Sequence, residues 1–246
     1  MDECELKPYS DPRSKGEQVA TMFNTIAPRY DLLNHILSAG IDRLWRHKAI
    51  ECLKRHSRLP LALILDVATG TGDLALCACR RIPSARVLAV DFAEDMMRIA
   101  QKKATQAHLN QRIDFRKEDC THLSLPDDSV DAVTSAFALR NFQPLGQCLS
   151  EMQRVLKPQG SLIAIDLCAP RRAPMKQVFY AYRRWFMPLA GRLVAHNPTA
   201  YTYLPASMKA VPQGEDMNRL FRQAGFHDVQ HRYFPSSMCI MYTARK

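Results

Sequence analysis

No stretch of this chain is apolar for long enough to cross a bilayer. The longest nearly unbroken run, Leu59 to Leu65, falls far short of the roughly 20 residues a spanning helix needs. The opening Met1-Asp2-Glu3-Cys4-Glu5 lacks the apolar core of an export signal. Repeats and low-complexity tracts are absent too. There are eight cysteines but no pair of Cys-x-x-Cys units, which argues against a structural zinc site, and no metal is expected. The thiols, Cys77 and Cys79 among them, read as small buried groups in a reducing compartment. These absences predict a cytoplasmic protein that meets a membrane, if at all, from its inner face as a peripheral contact.

What is present suffices for one folded domain over residues 1–246: 47% of residues are hydrophobic and 24% are charged. The net charge of +10 is unevenly placed. Arg171 to Lys246 holds twelve Lys and Arg against Glu215, Asp216 and Asp228, while the first 170 residues nearly balance. A basic third suits an anionic partner such as lipid head groups, nucleic acid or pyrophosphate. A solvated basic face reads the same way.

The hydrophobic pattern changes period along the chain. Residues 1–16 are polar and rich in charge and proline, which predicts a mobile arm. Residues 17–57 carry helical spacing, first through Val19, Met22, Phe23, Leu32, Ile36 and Leu37, then after Gly40 through Leu44, Trp45, Ala49 and Ile50. From residue 58 short apolar runs alternate with helical stretches. Strands are expected at 61–67, 86–91, 112–115, 130–136 and 160–167, with intervening helices including 93–107 and 144–157. This rhythm predicts a parallel sheet covered on both faces. It breaks at a helical insertion of about 170–212, with helices at 174–191 and 200–209. A helix at 214–224 ends at Gly225, a C-cap glycine. Two strands, about 227–234 and 238–244, follow with only a short link, so they pair antiparallel.

The segment Asp66-Val-Ala-Thr-Gly70-Thr71-Gly72-Asp73 sits at a strand-to-helix turn, at the sheet edge where such folds bind ligands. Its glycines permit a sharp turn and a close ligand approach. Asp91 ends the second strand, 19 residues after Gly72, where a carboxylate can accept both hydroxyls of a ribose. These features alone fit a dinucleotide as well as another adenosine-bearing cofactor. Glu118-Asp119-Cys120, directly after the third strand, adds an acid that dinucleotide enzymes do not usually have. Met96 is placed to pack on an adenine.

Four further segments carry a resemblance. They are Met22-Phe-Asn-Thr-Ile-Ala-Pro-Arg-Tyr30-Asp31-Leu-Leu-Asn34-His-Ile-Leu37-Ser38-Ala-Gly-Ile-Asp42-Arg-Leu-Trp45, Ala138-Leu-Arg140-Asn141, Arg154-Val-Leu-Lys157-Pro158-Gln-Gly160 and Tyr201-x-Tyr203-Leu204-x-x-Ser207. From about Val19 to the last strand the chain resembles the UbiE/MenG family of class I methyltransferases. The resemblance implies a Rossmann-like doubly wound α/β sheet, mostly parallel, with a C-terminal antiparallel hairpin. It implies S-adenosylmethionine as cofactor and C-methylation of demethylmenaquinol, or of a benzoquinol precursor of ubiquinone. Asp66, Gly70, Thr71, Gly72 and Asp91 would hold the cofactor, Asp119 would accept the adenine amine, and the backbone N–H of Cys120 would reach the ring. The chain departs from the family at Asp42 (often His), Ala136 (Ser in some members), Asp166-Leu167-Cys168 (usually Glu-x-Ser) and the hairpin Ser236 to Tyr242 (often Gly-rich).

Ring carbon is a poor nucleophile until the quinol hydroxyl loses its proton, and a phenol has a reference pKa near 10. Arg140 stays cationic at any physiological pH and is the candidate to stabilise the phenolate. Asn141 is placed to orient the same oxygen or a water. Tyr30, from the helical cover, is placed to hydrogen-bond substrate or relay a proton, and His35 is a further candidate base. The basic, aromatic segment Arg171 to Met187 suits a polyprenylated quinol and an anionic membrane surface. The alternatives are methylation of another small molecule or of RNA, and a non-catalytic scaffold at the membrane surface. No Asn-Pro-Pro-Tyr type motif and no added RNA-binding module appear, so no nucleic-acid partner is expected. A homo-oligomer stays open.

Overall fold

A computed structural model of the chain describes residues 6–38, 40–170, 173, 177, 198–235 and 237–246. Two helices, α1 (Lys15–Ser38) and α2 (Ile41–His56), precede the sheet. Then follow β1 (Leu63–Val67), α3 (Asp73–Arg81), β2 (Arg86–Asp91), α4 (Glu94–Gln106), β3 (Ile113–Lys117), β4 (Val130–Ala136), α5 (Leu145–Val155) and β5 (Leu156–Leu167). The chain closes with α6 (Pro198–Ala210), α7 (Glu215–Gln223), β6 (His227–Tyr233) and β7 (Cys239–Arg245). A 3-10 turn, Leu139–Asn141, links β4 to α5.

The strands form one sheet in the order β3-β2-β1-β4-β5-β7-β6. All neighbours are parallel except β5 with β7 and β7 with β6. Strand order reverses at β1, which pairs β2 on one side and β4 on the other. That switch point opens a crevice beyond the carboxyl ends of β1, β2 and β4. Alternate strand residues point to opposite faces. Leu65, Val67, Leu88 and Val90 pack with α5 and α7 through Leu149, Met152 and Phe221. Ile64, Val87 and Ala89 pack with α2 and α3 through Trp45, Ile50 and Leu74. The central strands β1, β2, β4 and β5 are therefore buried on both sides, which explains why they read as apolar runs.

Three details differ from the sequence expectation or sharpen it. First, β5 begins at Leu156, before the Pro158-Gln-Gly160 turn expected to precede it. Its register against β4 jumps from Val130↔Leu156 to Ala132↔Ser161. The turn is thus a bulge inside the strand, where a Cβ on Gly160 would lie 2.7 Å from the Lys157 carbonyl. Second, Gly225 (φ +94) ends α7 in a Schellman motif. The Phe226 N–H donates to the Phe221 carbonyl and the Gly225 N–H to that of Arg222.

Third, from Leu6 onward the arm expected to be mobile is fastened to α1. Buried Gln18 accepts the Tyr9 N–H at 2.9 Å and donates to the carbonyls of Asp11 and Arg13. Ser14 and Glu17 cap the helix reciprocally: the Glu17 carboxylate accepts the Ser14 N–H (2.9 Å), and the Ser14 hydroxyl accepts the Glu17 N–H (3.3 Å). The expected helix at 174–191 and nearly all of the basic aromatic segment lie outside the described residues. Among the described residues no helix is long and apolar enough to cross a membrane.

Candidate active site

A cavity of about 470 Å³ occupies the crevice. Its floor is the ends of β1, β2 and β4 at Val67-Ala68, Val90-Asp91 and Ala136-Phe137-Ala138. Glu118 to Thr121 form one side, and the arm with α1 (Lys7, Ser14 to Glu17, Phe23, Tyr30) forms the roof. The sequence did not reveal that residues 7–17 reach this space. The capping pair Ser14 and Glu17 was the available signal.

The glycine turn is held from both sides. Gly70 and Gly72 lie at positive φ (55° and 80°). A Cβ on Gly72 would sit 2.8 Å from that of Ala100 on α4, so Gly72 lets α3 and α4 approach. Ala68 and Phe137, after β1 and β4, also take positive φ (54° and 62°), unusual for residues with a Cβ. Both line the cavity, so the backbone is strained where a ligand would lie.

Asp91 accepts the Gly70 N–H on Oδ2 (2.6 Å) and the Ala93 N–H on Oδ1 (2.8 Å). Each carboxylate oxygen has two lone pairs, so one per oxygen remains, a match to a vicinal diol. Burial lifts its pKa while the backbone donors pull it down. Asp119 takes both the Thr121 N–H (2.9 Å) and hydroxyl (2.8 Å) on Oδ1, which leaves Oδ2 for a ligand donor. Cys120 lines the same wall, its sulfur 3.1 Å from that of Cys148. Met96 is buried with Ala20, Ala27 and Ala93 and lines the cavity. Acids placed for a ribose and an amine, on one cavity with Val67, Val90, Met96 and Phe142 in its lining, form an acceptor set that fits an adenosine.

Asp66 and Thr71 face inward on the loop. Asp66 accepts the Thr69 hydroxyl (2.6 Å) and the Thr134 hydroxyl (2.7 Å), one on each oxygen. It therefore shapes the turn from within. Burial pushes its pKa up to about 6, against the pull of the two hydroxyls. An acid raised in this way binds more protons folded than unfolded between pH 4 and 6, so its contribution to stability declines as pH rises through that window, by on the order of 3 kcal/mol. Asp66→Asn removes this dependence. The melting temperature of the variant minus that of wild type is expected to rise from pH 4 to pH 7; a flat difference across a thermal-melt series would contradict it. Thr71 donates to Asp31 of α1 at 2.5 Å. Lys103 bridges Asp31 (2.7 Å) and Asp73, so cover and loop are tied by charge. That tie was legible only as Tyr30-Asp31 in a motif.

The three residues expected to perform the chemistry are placed differently from one another. Tyr30 and Asn141 line the cavity. The Tyr30 phenol is hydrogen-bonded to Asn34, and burial raises its pKa, against Asn34, Arg140 and Arg46. It therefore stays a neutral phenol at physiological pH. Asn141 accepts the Tyr203 hydroxyl of α6 at 3.2 Å, which fixes the amide. Arg140 is buried behind that wall. Its backbone N–H donates to Asp166 Oδ2 at 3.0 Å and its guanidinium pairs with Oδ1. Asp166 was noted in the sequence only as a departure, yet it anchors this turn to the end of β5. His35 binds Asp42 at 3.1 Å, together with Ser38 (2.7 Å) and Arg46. Donor atoms of His35, Asp42 and Asp73 lie within 4.8 Å of one another, but the two acids are occupied by Arg46 and Lys103.

The strand order β3-β2-β1-β4-β5-β7-β6, parallel but for its closing hairpin, is that of the Rossmann-like methyltransferase class. A solved S-adenosylmethionine-dependent methyltransferase from Aquifex aeolicus superposes with a TM-score of 0.59 over 80% of this chain and 88% of its own, at 21% identity. The chain belongs to the ubiE/COQ5 methyltransferase family, which matches residues 12–246. It is 46% identical to the demethylmenaquinone methyltransferase of Bacteroides fragilis, over 98% of this chain and 97% of that one. It is also 39% identical to the ubiquinone/menaquinone biosynthesis C-methyltransferase UbiE of Geobacter sulfurreducens, over 94% and 90%.

Proposed function

We propose that this chain transfers a methyl group from S-adenosylmethionine to a ring carbon of demethylmenaquinol, a step of menaquinone biosynthesis. The near full-length match to demethylmenaquinone methyltransferases carries the choice of substrate. Bound, the cofactor supplies a sulfonium methyl, already strongly electrophilic. Asp91 would hold the ribose, Asp119 and the Cys120 backbone would hold the adenine, and the Gly70–Gly72 turn would admit the rest.

The protein's remaining task is to align the ring, exclude water and favour loss of the quinol proton. Tyr30, held as a phenol, donates to the quinol oxygen as charge develops there, and Asn141 fixes the same oxygen. Arg140 acts from behind the wall. Its ion pair with Asp166 seats the Leu139–Asn141 turn, and its cation favours negative charge near Tyr30. The quinol hydroxyl gives up its proton to solvent before or as the ring carbon takes the methyl; the resulting dienone loses its ring hydrogen to solvent and a proton returns to the oxygen, which restores the aromatic ring. The prenyl tail and contact with an anionic membrane surface are assigned to the basic aromatic segment around 171–187.

Quinones extracted from cells lacking this protein are the test. Build-up of a naphthoquinone lighter by one methyl, reversed by the wild-type chain, is expected. Build-up of a benzoquinone precursor instead would move the substrate to the ubiquinone branch, and an unchanged quinone profile would remove the reading.

A further inference from the structure

Beside the main cavity lies a recess of about 30 Å³. It shares Tyr30, Ala68, Gly70, Ala136 and Phe137 with the larger space, so the two adjoin at the glycine turn. Asp91 grips the turn on the cavity side through the Gly70 N–H. Arg46 of α2 closes the recess on the other side. It is only 6% exposed, a cation placed where water does not solvate it. Its guanidinium carbon lies 5.2 Å from the centre of the Phe137 ring.

A guanidinium offers five N–H donors in a fixed fork. Arg46 uses Nη1 on Asp42 and holds Asp73 only at 3.5 Å through Nη2. Lys103 draws on Asp73 as well. Donors therefore remain for a small anionic group in a space that takes little more than one. The surrounding charges narrow the choice. Asp31, Asp42, Asp73 and Asp66, which itself lines the recess, face Arg46 and Lys103, so acids outnumber cations there. A pyrophosphate would meet that excess as repulsion. A zwitterion, with its carboxylate on the guanidinium and its ammonium toward the acids, would not.

We propose that Arg46 receives the α-carboxylate of the amino-acid end of the methyl donor, and so fixes that end while Asp91 fixes the ribose. This rests on the methyltransferase reading and adds a binding residue to it. Calorimetry with two ligands separates the roles: S-adenosylhomocysteine carries the amino-acid end, and 5′-methylthioadenosine lacks it. Arg46→Met is expected to weaken S-adenosylhomocysteine about 30- to 100-fold, as for loss of one charge-assisted pair, and to leave 5′-methylthioadenosine within about twofold of wild type, since that ligand forms no such pair. Arg46→Lys, which keeps charge but not the fork, should fall between. Equal loss for both ligands, or none for S-adenosylhomocysteine, would overturn the assignment. Should Arg46→Met not fold, Asp42→Asn/Arg46→Met removes the stranded acid and is read the same way, with Arg46→Lys deciding alone if neither folds. Wild-type protein binding neither ligand would instead strike at the methyltransferase reading.

Discussion

Asp91→Ala is expected to weaken S-adenosylhomocysteine binding by at least about 100-fold, the loss of two charge-assisted hydrogen bonds of roughly 1.5–3 kcal/mol each. The carboxylate has one lone pair per oxygen left after Gly70 and Ala93 are served. The substitution therefore removes the diol acceptor and frees two backbone N–H groups at the glycine turn together. Asp91→Asn keeps the size but turns one acceptor into a donor, so it should recover only part of the affinity. Titration calorimetry decides it: affinity of Asp91→Ala within about threefold of wild type would mean that the ribose does not lie on this acid.

Arg140→Ala is expected to abolish turnover and to lower stability as well. Asp166 is buried, 3% exposed, and it would lose its cation. Breaking a buried pair by removing one partner typically costs about 3–5 kcal/mol, which for a chain of this length is a fall in melting temperature on the order of 10 °C. The Asp166→Ala/Arg140→Ala double variant separates the two effects, since it removes the stranded charge. Its melting temperature should recover relative to Arg140→Ala while its turnover stays lost, and S-adenosylhomocysteine should still bind. Recovery of turnover along with stability would reduce Arg140 to a structural anchor.

The parts of this molecule legible in the sequence are those set by local pattern. β1, β2, β4 and β5, which alternate between two buried faces, read as apolar runs, and Gly225 could end α7 only in a left-handed conformation. Gly70, Gly72 and Asp91 were placed because strand, turn and strand end fix them within a few residues. What was not legible depends on approach across the fold. Asp166 meets Arg140 because β4 and β5 are parallel neighbours, Ala136 opposite Ile165, which no spacing along the chain expresses. Asp31 reaches Thr71 and Lys103 across three elements, and Arg46 faces a recess only once α2 lies against the end of β4. The bulge at Gly160 hid the true start of β5, since proline and glycine mark a turn whether or not pairing resumes beyond it.

The central claim is methyl transfer to a naphthoquinol ring. The most direct measurement incubates the purified chain with S-adenosylmethionine labelled in its methyl group and a short-tailed demethylmenaquinol, and follows the quinone by mass spectrometry. The expected result is one labelled methyl on the ring, with none transferred to the matching benzoquinol precursor at comparable rate. Label confined to S-adenosylmethionine, in protein shown by calorimetry to bind S-adenosylhomocysteine, would contradict it.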